Sequence, residues 1–234
     1  MVYIETPRLL LRDWKEEDFV VFSEMNSSPS VMKYFLHPLS EEESLVLFDA
    51  VRSDFLRYGY GGYAVEQKSD GAFVGFTGFH NFSFDVDFAP GIEIAWRLKQ
   101  EYWNRGYATE AAKACLDYAK ENLPFTTVWA FTALPNKPSQ RVMQKIGMEF
   151  EKNFMHPSVT DGHPLKEHVL YKSLLLSSAQ VKSFHHEASF FPPRWKETCL
   201  VVERNLSHGG TEWERQEKCL KSKAGKSPIE TSPL

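Results

Sequence analysis

The sequence predicts an α/β domain, and two observations lead to this class. Segments in which apolar and polar residues alternate are interspersed with segments of helical periodicity, in the order β-α-α-β-β-β-α-β-α-β-β. The connections between the middle strands are short, which favours antiparallel pairing there. The chain has 234 residues, 42% hydrophobic and 25% charged, and this composition excludes extensive disorder and collagen-like structure.

The first half of the pattern contains a strand, two helices and two further strands. Residues 7–14 predict the first strand, and a short helix follows it. Ser40 and Glu43 form a capping box, because the serine oxygen can accept from the backbone N–H three residues on and the glutamate can reach back. We expect the helix that begins there to end at Gly59. The next strands are predicted over residues 62–67 and 73–82.

The second half alternates strands and helices. A helix over 108–123 collects its apolar residues on one face and turns Glu110 away from that face. Pro138 suits the first turn of another helix, which Gly147 ends. The strands of this half are predicted over residues 91–98, 127–134, 148–154 and 168–175.

Composition predicts one domain over residues 1–176 and a tail over 177–234 that is disordered or loosely docked. The first segment carries 18 Lys and Arg against 24 Asp and Glu, whereas the second carries 9 against 7 and has little apolar surface to bury. The net charge of −4 provides no basic field for nucleic acid. No apolar run approaches the roughly 18 residues of a membrane-spanning helix, so no membrane partner is expected.

Targeting and cysteine usage favour a cytoplasmic protein. The first residues bring acid and arginine too early for a secretory signal peptide. The three cysteines have no CxxC spacing, as expected of a reducing compartment. The histidines and cysteines of the tail fit no recognised metal-binding spacing, and we therefore expect no metal.

The stretch over residues 91–114 predicts a site for phosphate or pyrophosphate. A strand leads into a short loop with Arg105 and Gly106, and a helix begins immediately afterwards. The first N–H groups of a helix lack partners within it, and the peptide dipoles attract anions to that end. Gly106 and Ala108 allow close approach to a bulky anion, and Arg105 adds a forked donor. A glycine at such a junction is also compatible with a simple tight turn.

Residues 103–111, WNRGYATEA, resemble the acetyl-CoA signature of the GNAT acetyltransferases, specifically of their RimJ/RimL-like branch. The branch often has glycine where this chain has Asn104, and asparagine tolerates left-handed backbone better than most residues. Residues 5–12, ETPRLLLR, are similar to the branch's opening strand. Residues 136–147 are similar to its later motif, an asparagine, a serine three residues on and a final K-x-G. The similarity spans residues 3–176.

This resemblance implies the GNAT acyl-CoA N-acyltransferase fold, a mixed, mostly antiparallel twisted sheet with helices on both faces and a splayed central strand pair. It also implies direct transfer of an acetyl group from acetyl-CoA to an amine. Backbone groups of one splayed strand would bind the pantetheine arm, and amides at the following helix start would bind the pyrophosphate. These positions are Ile94, Ala95, Trp96, Arg97 and Leu98 in the strand, and Arg105, Gly106, Tyr107, Ala108 and Thr109 at the helix start. Asn136 would contact the cofactor or orient the helix beside it.

The chemistry that the resemblance implies needs a base for the protonated amine and a proton donor for the leaving thiolate. Glu93, next to the splayed strand, is the candidate base, although a strand glutamate can equally be solvated or paired with a cation. Ser139 matches a serine that serves as acid or thiol-side donor in close RimL-type relatives, and a helix-capping serine is the alternative. His80 is a weaker candidate for a base or a substrate contact, because a histidine at a sheet edge is often only hydrogen-bonded.

The acceptor remains open at this stage. A protein N-terminus or a small-molecule amine would serve, and the chain would act as a monomer or a homodimer. A rival interpretation is a non-catalytic acyl-CoA sensor or partner-binding protein with the same fold. A second rival is a transferase for longer acyl groups, because the phosphate site contacts only the coenzyme A end of the donor.

Overall fold

The computed structural model describes residues 1–175 of the chain. Within them, eight strands form one sheet with the order β1-β2-β3-β4-β5-β6-β8-β7. The strands are β1 (Val2–Glu5), β2 (Leu9–Arg12), β3 (Gly62–Gln67), β4 (Phe73–Phe82), β5 (Gly91–Leu98), β6 (Thr127–Ala133), β7 (Glu149–Met155) and β8 (Glu167–Leu174). The helices are α1 (Asp18–Ser27), α2 (Glu41–Tyr58), α3 (Tyr107–Asn122) and α4 (Lys137–Lys145). The α/β class and the antiparallel pairing of the middle strands are confirmed.

The beginning of the chain differs from the expectation. The single strand predicted over 7–14 is replaced by two short strands, β1 and β2, which pair antiparallel through a tight turn. Thr6 closes this turn, because its N–H donates to the carbonyl of Leu9 over 3.0 Å and its Oγ1 accepts from the Leu9 N–H over 2.9 Å. Strands of four residues carry too little alternation to be separated by periodicity.

Helix and turn signals in the sequence are confirmed where local chemistry decides the conformation. Ser40 accepts from the Glu43 N–H, the Glu43 carboxylate accepts from the Ser40 N–H, and α2 begins one residue after Ser40. Gly59 ends α2 at φ 74°. The two contacts between Ser40 and Glu43 satisfy N–H donors that the first turn of a helix would otherwise leave unpaired.

The two faces of the sheet carry different helices, and we call them the α3 face and the α1 face. On the α3 face, Phe79, Ile94 and Leu98 belong to one buried cluster with the apolar side of α3. On the α1 face, Phe76 belongs to a second cluster with Phe22 of α1. Because side chains alternate along a strand, neighbouring residues of β4 and β5 point to opposite faces.

The sheet opens between β5 and β6. These strands are parallel, and their ladder consists of one residue pair, Glu93 with Trp129. Over the described residues, β5 beyond Glu93 therefore has a ladder partner on its β4 side alone, where the register continues to Leu98 with Gly75. Beyond Glu93 the strands are splayed, as expected for the central pair, and the edge of β5 faces a gap.

The predicted tail over 177–234, including the expectation that its histidines and cysteines hold no metal, lies outside the described residues. The boundary near residue 176 therefore stays a prediction. None of the helices within residues 1–175 combines the length and apolarity that a membrane crossing requires.

Candidate functional site

The loop that leads from β5 into α3 is shaped by two residues with positive φ. Asn104 has φ 60° and Gly106 has φ 81°, so the asparagine adopts the left-handed backbone that its side chain tolerates. Gly106 is the N-cap of α3, and no side chain caps this end of the helix. The first hydrogen bond of the helix runs from the Glu110 N–H to the Gly106 carbonyl over 3.0 Å. Within residues 1–175, the backbone N–H groups of the first turn of α3, before Glu110, therefore have no partner.

This helix start fits a phosphate group. The free N–H groups belong to Tyr107, Ala108 and Thr109, and the peptide dipoles of the 16-residue helix add to their attraction for an anion. A Cβ added at Gly106 would lie 3.4 Å from Nη2 of Arg8, so it is the positive φ of 81° that favours glycine at this position. The helix start therefore has the backbone that the sequence pattern predicts, and the phosphate site itself stays a prediction.

Arg8, at the end of the β1–β2 turn, holds the phosphate loop in place. Its Nη1 donates to the carbonyl of Arg105 over 2.9 Å, and its guanidinium carbon lies 4.5 Å from the centre of the Tyr107 ring. Its Nε and Nη2 each lie 2.6 Å from the Glu110 carboxylate. The opening strand motif and the helix motif are far apart in sequence, and this contact joins them at the candidate site.

Glu110 is the ion-pair partner of Arg8, and the sequence analysis did not predict this contact. Its side chain was expected to point away from the helix core, but only 17% of it is exposed. Besides the arginine, it accepts from Oγ1 of Thr6 over 2.7 Å and from the backbone N–H of Arg8 over 3.0 Å. Burial alone would raise the pKa of Glu110, but these hydrogen bonds and the charge of Arg8 outweigh it and lower the pKa. Helical periodicity contains no signal for a contact with a turn about a hundred residues earlier.

The five predicted strand positions form the β5 edge at the gap. Ile94 and Leu98 bury their side chains in the α3 face, whereas Ala95 and Arg97 point to the other face and Trp96 is half-buried. The carbonyl of Leu98 already accepts from the Trp103 indole over 2.8 Å. The carbonyl of Ala95 points toward β4, where it accepts from Thr77 Oγ1 over 3.0 Å. The edge therefore offers a cofactor arm fewer free acceptors than the five positions imply.

Asn136 and Ser139 lie at the start of α4. The side chain of Asn136 caps this helix by accepting from the Ser139 N–H over 3.3 Å, and its amide donates to Thr132 Oγ1 over 2.8 Å. Asn136 therefore orients the helix, the second of its two expected roles. Ser139 is not the capping residue, and its Oγ makes no hydrogen bond within the described part of the chain. That hydroxyl is available to a ligand.

Glu93 is buried and paired with a histidine. Only 8% of Glu93 is exposed, and its Oε2 lies 3.0 Å from Nε2 of His80, the residue opposite it on β4. Burial would lower the pKa of His80, but the Glu93 charge and the hydrogen bond to it outweigh burial and raise the pKa. The solvated alternative for Glu93 is thus wrong, whereas the paired alternative is found, with His80 as the partner. The role of Glu93 as a base stays a prediction.

The surroundings of this pair are acidic on one side and aromatic on the other. Asp54 of α2 interacts electrostatically with His80, and burial raises the pKa of Asp54. On the other side, Trp129 pairs with Glu93 and lies 5.5 Å, ring centre to ring centre, from Phe88. The aromatic residues of the β4–β5 connection form one cluster with aromatic residues of β4, β6 and β7, which includes Phe82, Phe84, Phe88, Phe131 and Phe154.

The start of α3 and the Glu93–His80 pair lie on opposite faces of the sheet at the gap. The start of α3 belongs to the α3 face, since Tyr107 is part of that cluster. Glu93 and His80 lie on the α1 face, where Glu93 also makes the one ladder contact across the gap. A donor bound along β5 and an acceptor bound on the α1 face could therefore meet at the gap beside Glu93.

Two further observations concern metal ligands and the one cysteine within the described residues. No group of three or more His, Cys, Asp or Glu side chains in residues 1–175 is arranged to hold a metal ion. Cys115 is fully buried, and burial raises the pKa of its thiol, so it is not a reactive nucleophile. Two open surface depressions, lined by residues such as Gly162 and Ser23, share no residue with the site at Glu93.

Comparison with known proteins agrees with this geometry. The sequence model of the family described as "Acetyltransferase (GNAT) domain" matches residues 8–149. An uncharacterized N-acetyltransferase of Bacillus subtilis (strain 168), YnaD, is 30% identical over 154 residues, which are 65% of this chain and 86% of that protein.

Solved structures give the same fold. An acetyltransferase of the GNAT family from Bacillus anthracis is 29% identical, with a TM-score of 0.62 over 74% of this chain and 98% of the other. RimL, a ribosomal alpha-N-protein acetyltransferase in complex with coenzyme A, has a TM-score of 0.62 at 13% identity, over 75% and 98% of the two chains. The expected GNAT fold is confirmed, and the chain belongs to the GNAT acetyltransferase family.

Proposed function

We propose that this protein transfers the acetyl group of acetyl-CoA directly to a primary amine, on a protein N-terminus or a small molecule, as RimJ/RimL-like enzymes do. One observation carries the proposal: the sheet opens at Glu93, with an uncapped helix start on the α3 face and the Glu93–His80 pair on the other. The proposal places this activity in residues 1–176 and in the cytoplasm, in a monomer or a homodimer.

On the donor side, acetyl-CoA supplies the thioester when it is bound. The backbone N–H groups of Tyr107, Ala108 and Thr109 would hold its pyrophosphate, and Arg105, which is exposed, would add charge. Arg8 fixes the loop through the Arg105 carbonyl. The edge of β5 from Ile94 to Leu98 would bind the pantetheine arm along the gap.

On the acceptor side, the Glu93–His80 pair would accept the proton that the ammonium group must lose. Glu93 lies at the point where the strands part, and its burial strengthens its interaction with a cationic amine. The His80 side chain is 43% exposed, so it offers the proton a path from the buried carboxylate to solvent. The Ser139 hydroxyl, with no partner among residues 1–175, would donate to the leaving thiolate.

Titration calorimetry with acetyl-CoA tests the donor side. Gly106→Glu places a carboxylate at the helix start, and we expect it to weaken binding about a hundredfold through repulsion of the phosphates. Gly147→Glu is the matched control, because Gly147 has φ 83° where Gly106 has φ 81°, and it follows α4 with no other atom near its Cβ position. Equal effects of the two substitutions would overturn the phosphate site.

The rivals give different results in a panel of amines. A non-catalytic sensor binds acetyl-CoA but acetylates no amine in the panel, which would include free-amine peptides and polyamines. A transferase for longer acyl groups turns over hexanoyl-CoA or octanoyl-CoA faster than acetyl-CoA. The proposal requires acetyl-CoA to be the best donor and at least one amine to be acetylated.

A further inference from the structure

Arg97 extends from β5 onto the α1 face. Its Nη1 donates to Oδ1 of Asn26, at the end of α1, over 2.6 Å. The guanidinium carbon lies 4.3 Å from the ring centre of Phe35 and 5.5 Å from that of Phe76. The charged group is thus held between two aromatic rings and the end of a helix.

This positive charge has no negative partner within the described residues. Arg97 forms no ion pair in residues 1–175, and its Nε is buried without a hydrogen-bond acceptor. Asn26, whose Oδ1 accepts from Arg97, also has a buried donor without a partner, its Nδ2. Burial lowers the pKa of Arg97 to about 10, so the side chain is still cationic at neutral pH. Two donors without acceptors beside one partly buried cation are the groups that an anion would satisfy.

The same sheet shows how a buried arginine is compensated internally. Arg12 of β2 is also buried on the sheet, with its side chain 6% exposed. It donates to both oxygens of Asp18 over 2.7 and 2.9 Å, and to Glu66 over 2.6 Å. Arg97 has an amide where Arg12 has carboxylates. Since a partly buried cation without a carboxylate is costly, the anion for Arg97 is expected to come from outside the fold.

Arg97 lies on the same face of the sheet as Glu93, beside which the acceptor amine is proposed to bind. Arg97 and Glu93 are four residues apart on one strand, so they point to the same face with Cα atoms roughly 13 Å apart. Between them on this face lies Ala95, which pairs with Gly78, so no long side chain of β4 or β5 separates the two groups. The start of α3, where the donor's phosphates would bind, belongs to the other face.

We propose that Arg97 and Asn26 bind an oxyanion of the acceptor, a carboxylate or a phosphate, while its amine lies at Glu93. This inference rests on the proposed function, and it narrows the acceptor to amines that carry an acidic group about a di- to tetrapeptide length away. A phosphate of the donor and an enclosed water molecule are the competing occupants, and each predicts a different experimental result.

Matched acceptors test the proposal. Tri-alanine with a free carboxylate and tri-alanine amide share the amine and differ in the anion, so we compare their kcat/KM values. A charge-assisted contact predicts a tenfold to hundredfold preference for the free acid. The phosphate source is tested with the amides of Ala-Ala-phosphoserine and Ala-Ala-Ser, which place the phosphate at the same distance from the amine. Equal rates within both pairs would overturn the proposal.

Two variants assign the preference to Arg97. Arg97→Gln should abolish it, so that the acid and amide forms react at the same rate. Asn26→Asp places a carboxylate beside the Arg97 guanidinium, as Asp18 is placed beside Arg12. This substitution should abolish the preference for the free acid and should preserve or raise the melting temperature. Persistence of the preference in the well-folded Asn26→Asp protein would place the anion elsewhere and contradict the proposal, whereas an enclosed water predicts equal rates already in the wild type.

Binding measurements separate this inference from the proposed function. Calorimetry of the two peptides, with coenzyme A at saturation, needs no turnover and should show tighter binding of the free acid to the wild type alone. If neither peptide is acetylated, the fault lies with the proposed activity, and the binding difference still decides on Arg97. A loss of acetyl-CoA binding in Asn26→Asp would place the anion on the donor and overturn the inference.

Discussion

Glu110→Gln is the substitution that tests how the phosphate loop is held. In the wild type the Glu110 carboxylate accepts from Thr6, from the Arg8 backbone and from the Arg8 guanidinium, at 2.6 to 3.0 Å. Glutamine keeps one acceptor oxygen but loses the charge, so donors of Arg8 lose their partner. Because the Arg8 side chain is 47% exposed, the ion pair contributes less than a buried one would. Together with the Thr6 contact we expect a loss of about 1–2 kcal/mol in unfolding free energy.

Thermal unfolding measures the first consequence, a fall in melting temperature of about 2–8 °C for a domain of this size. The effect depends on pH, because the folded-state pKa of Glu110 lies below its ordinary value of 4.5. Its contribution is complete above that ordinary value and is lost as the pH falls through the lower, folded-state pKa. The difference between wild type and variant should therefore be full at pH 7 and shrink in acid.

The second consequence concerns the donor. Without Glu110, the guanidinium of Arg8 loses its orientation toward the Arg105 carbonyl, and acetyl-CoA should bind about fivefold more weakly. Glu121→Gln is the control, since Glu121 is an exposed residue of the same helix whose side chain forms no hydrogen bond in residues 1–175. If Glu110→Gln matches this control in both melting temperature and acetyl-CoA affinity, the reasoning about Arg8 is refuted.

Three further predictions follow from the same contacts. His80→Asn should remove the acid limb of the kcat/KM profile that lies above pH 6.5 in the wild type, because Glu93 raises the pKa of His80, and an unchanged profile would contradict the pairing. Asp18→Asn leaves Arg12 with Glu66 alone, and denaturant unfolding should show a loss of about 2–4 kcal/mol; a loss below about 1 kcal/mol would argue against that buried pair. Ser40→Ala should cost about 1 kcal/mol in unfolding free energy by removing the cap of α2, whereas acetyl-CoA affinity should not change.

The backbone of the loop and helix start at α3 could be predicted from the sequence because its determinants are local. A glycine at a strand-to-helix junction and an asparagine two residues earlier predict positive φ, and both are found. The capping box at Ser40 and Glu43 is likewise confirmed, because residues three apart meet in any helix start. Each of these signals depends on neighbours in sequence, which a pattern contains.

The acceptor side could not be predicted in the same way. The pairing of His80 with Glu93 depends on the register of β4 against β5, and a shift of one residue would point the two side chains to opposite faces. The uncompensated charge of Arg97 is visible only when α1 brings Asn26 rather than a carboxylate beside it. Both arise from tertiary contacts between segments whose separate patterns are unremarkable.

The central claim is that the chain acetylates an amine at Glu93, and initial rates of coenzyme A release test it most directly. The rate should depend on an added amine, and Glu93→Gln should lower kcat at least a hundredfold while acetyl-CoA binding stays within twofold of the wild type. Release that is independent of any amine, or a Glu93→Gln protein as active as the wild type, would contradict the account.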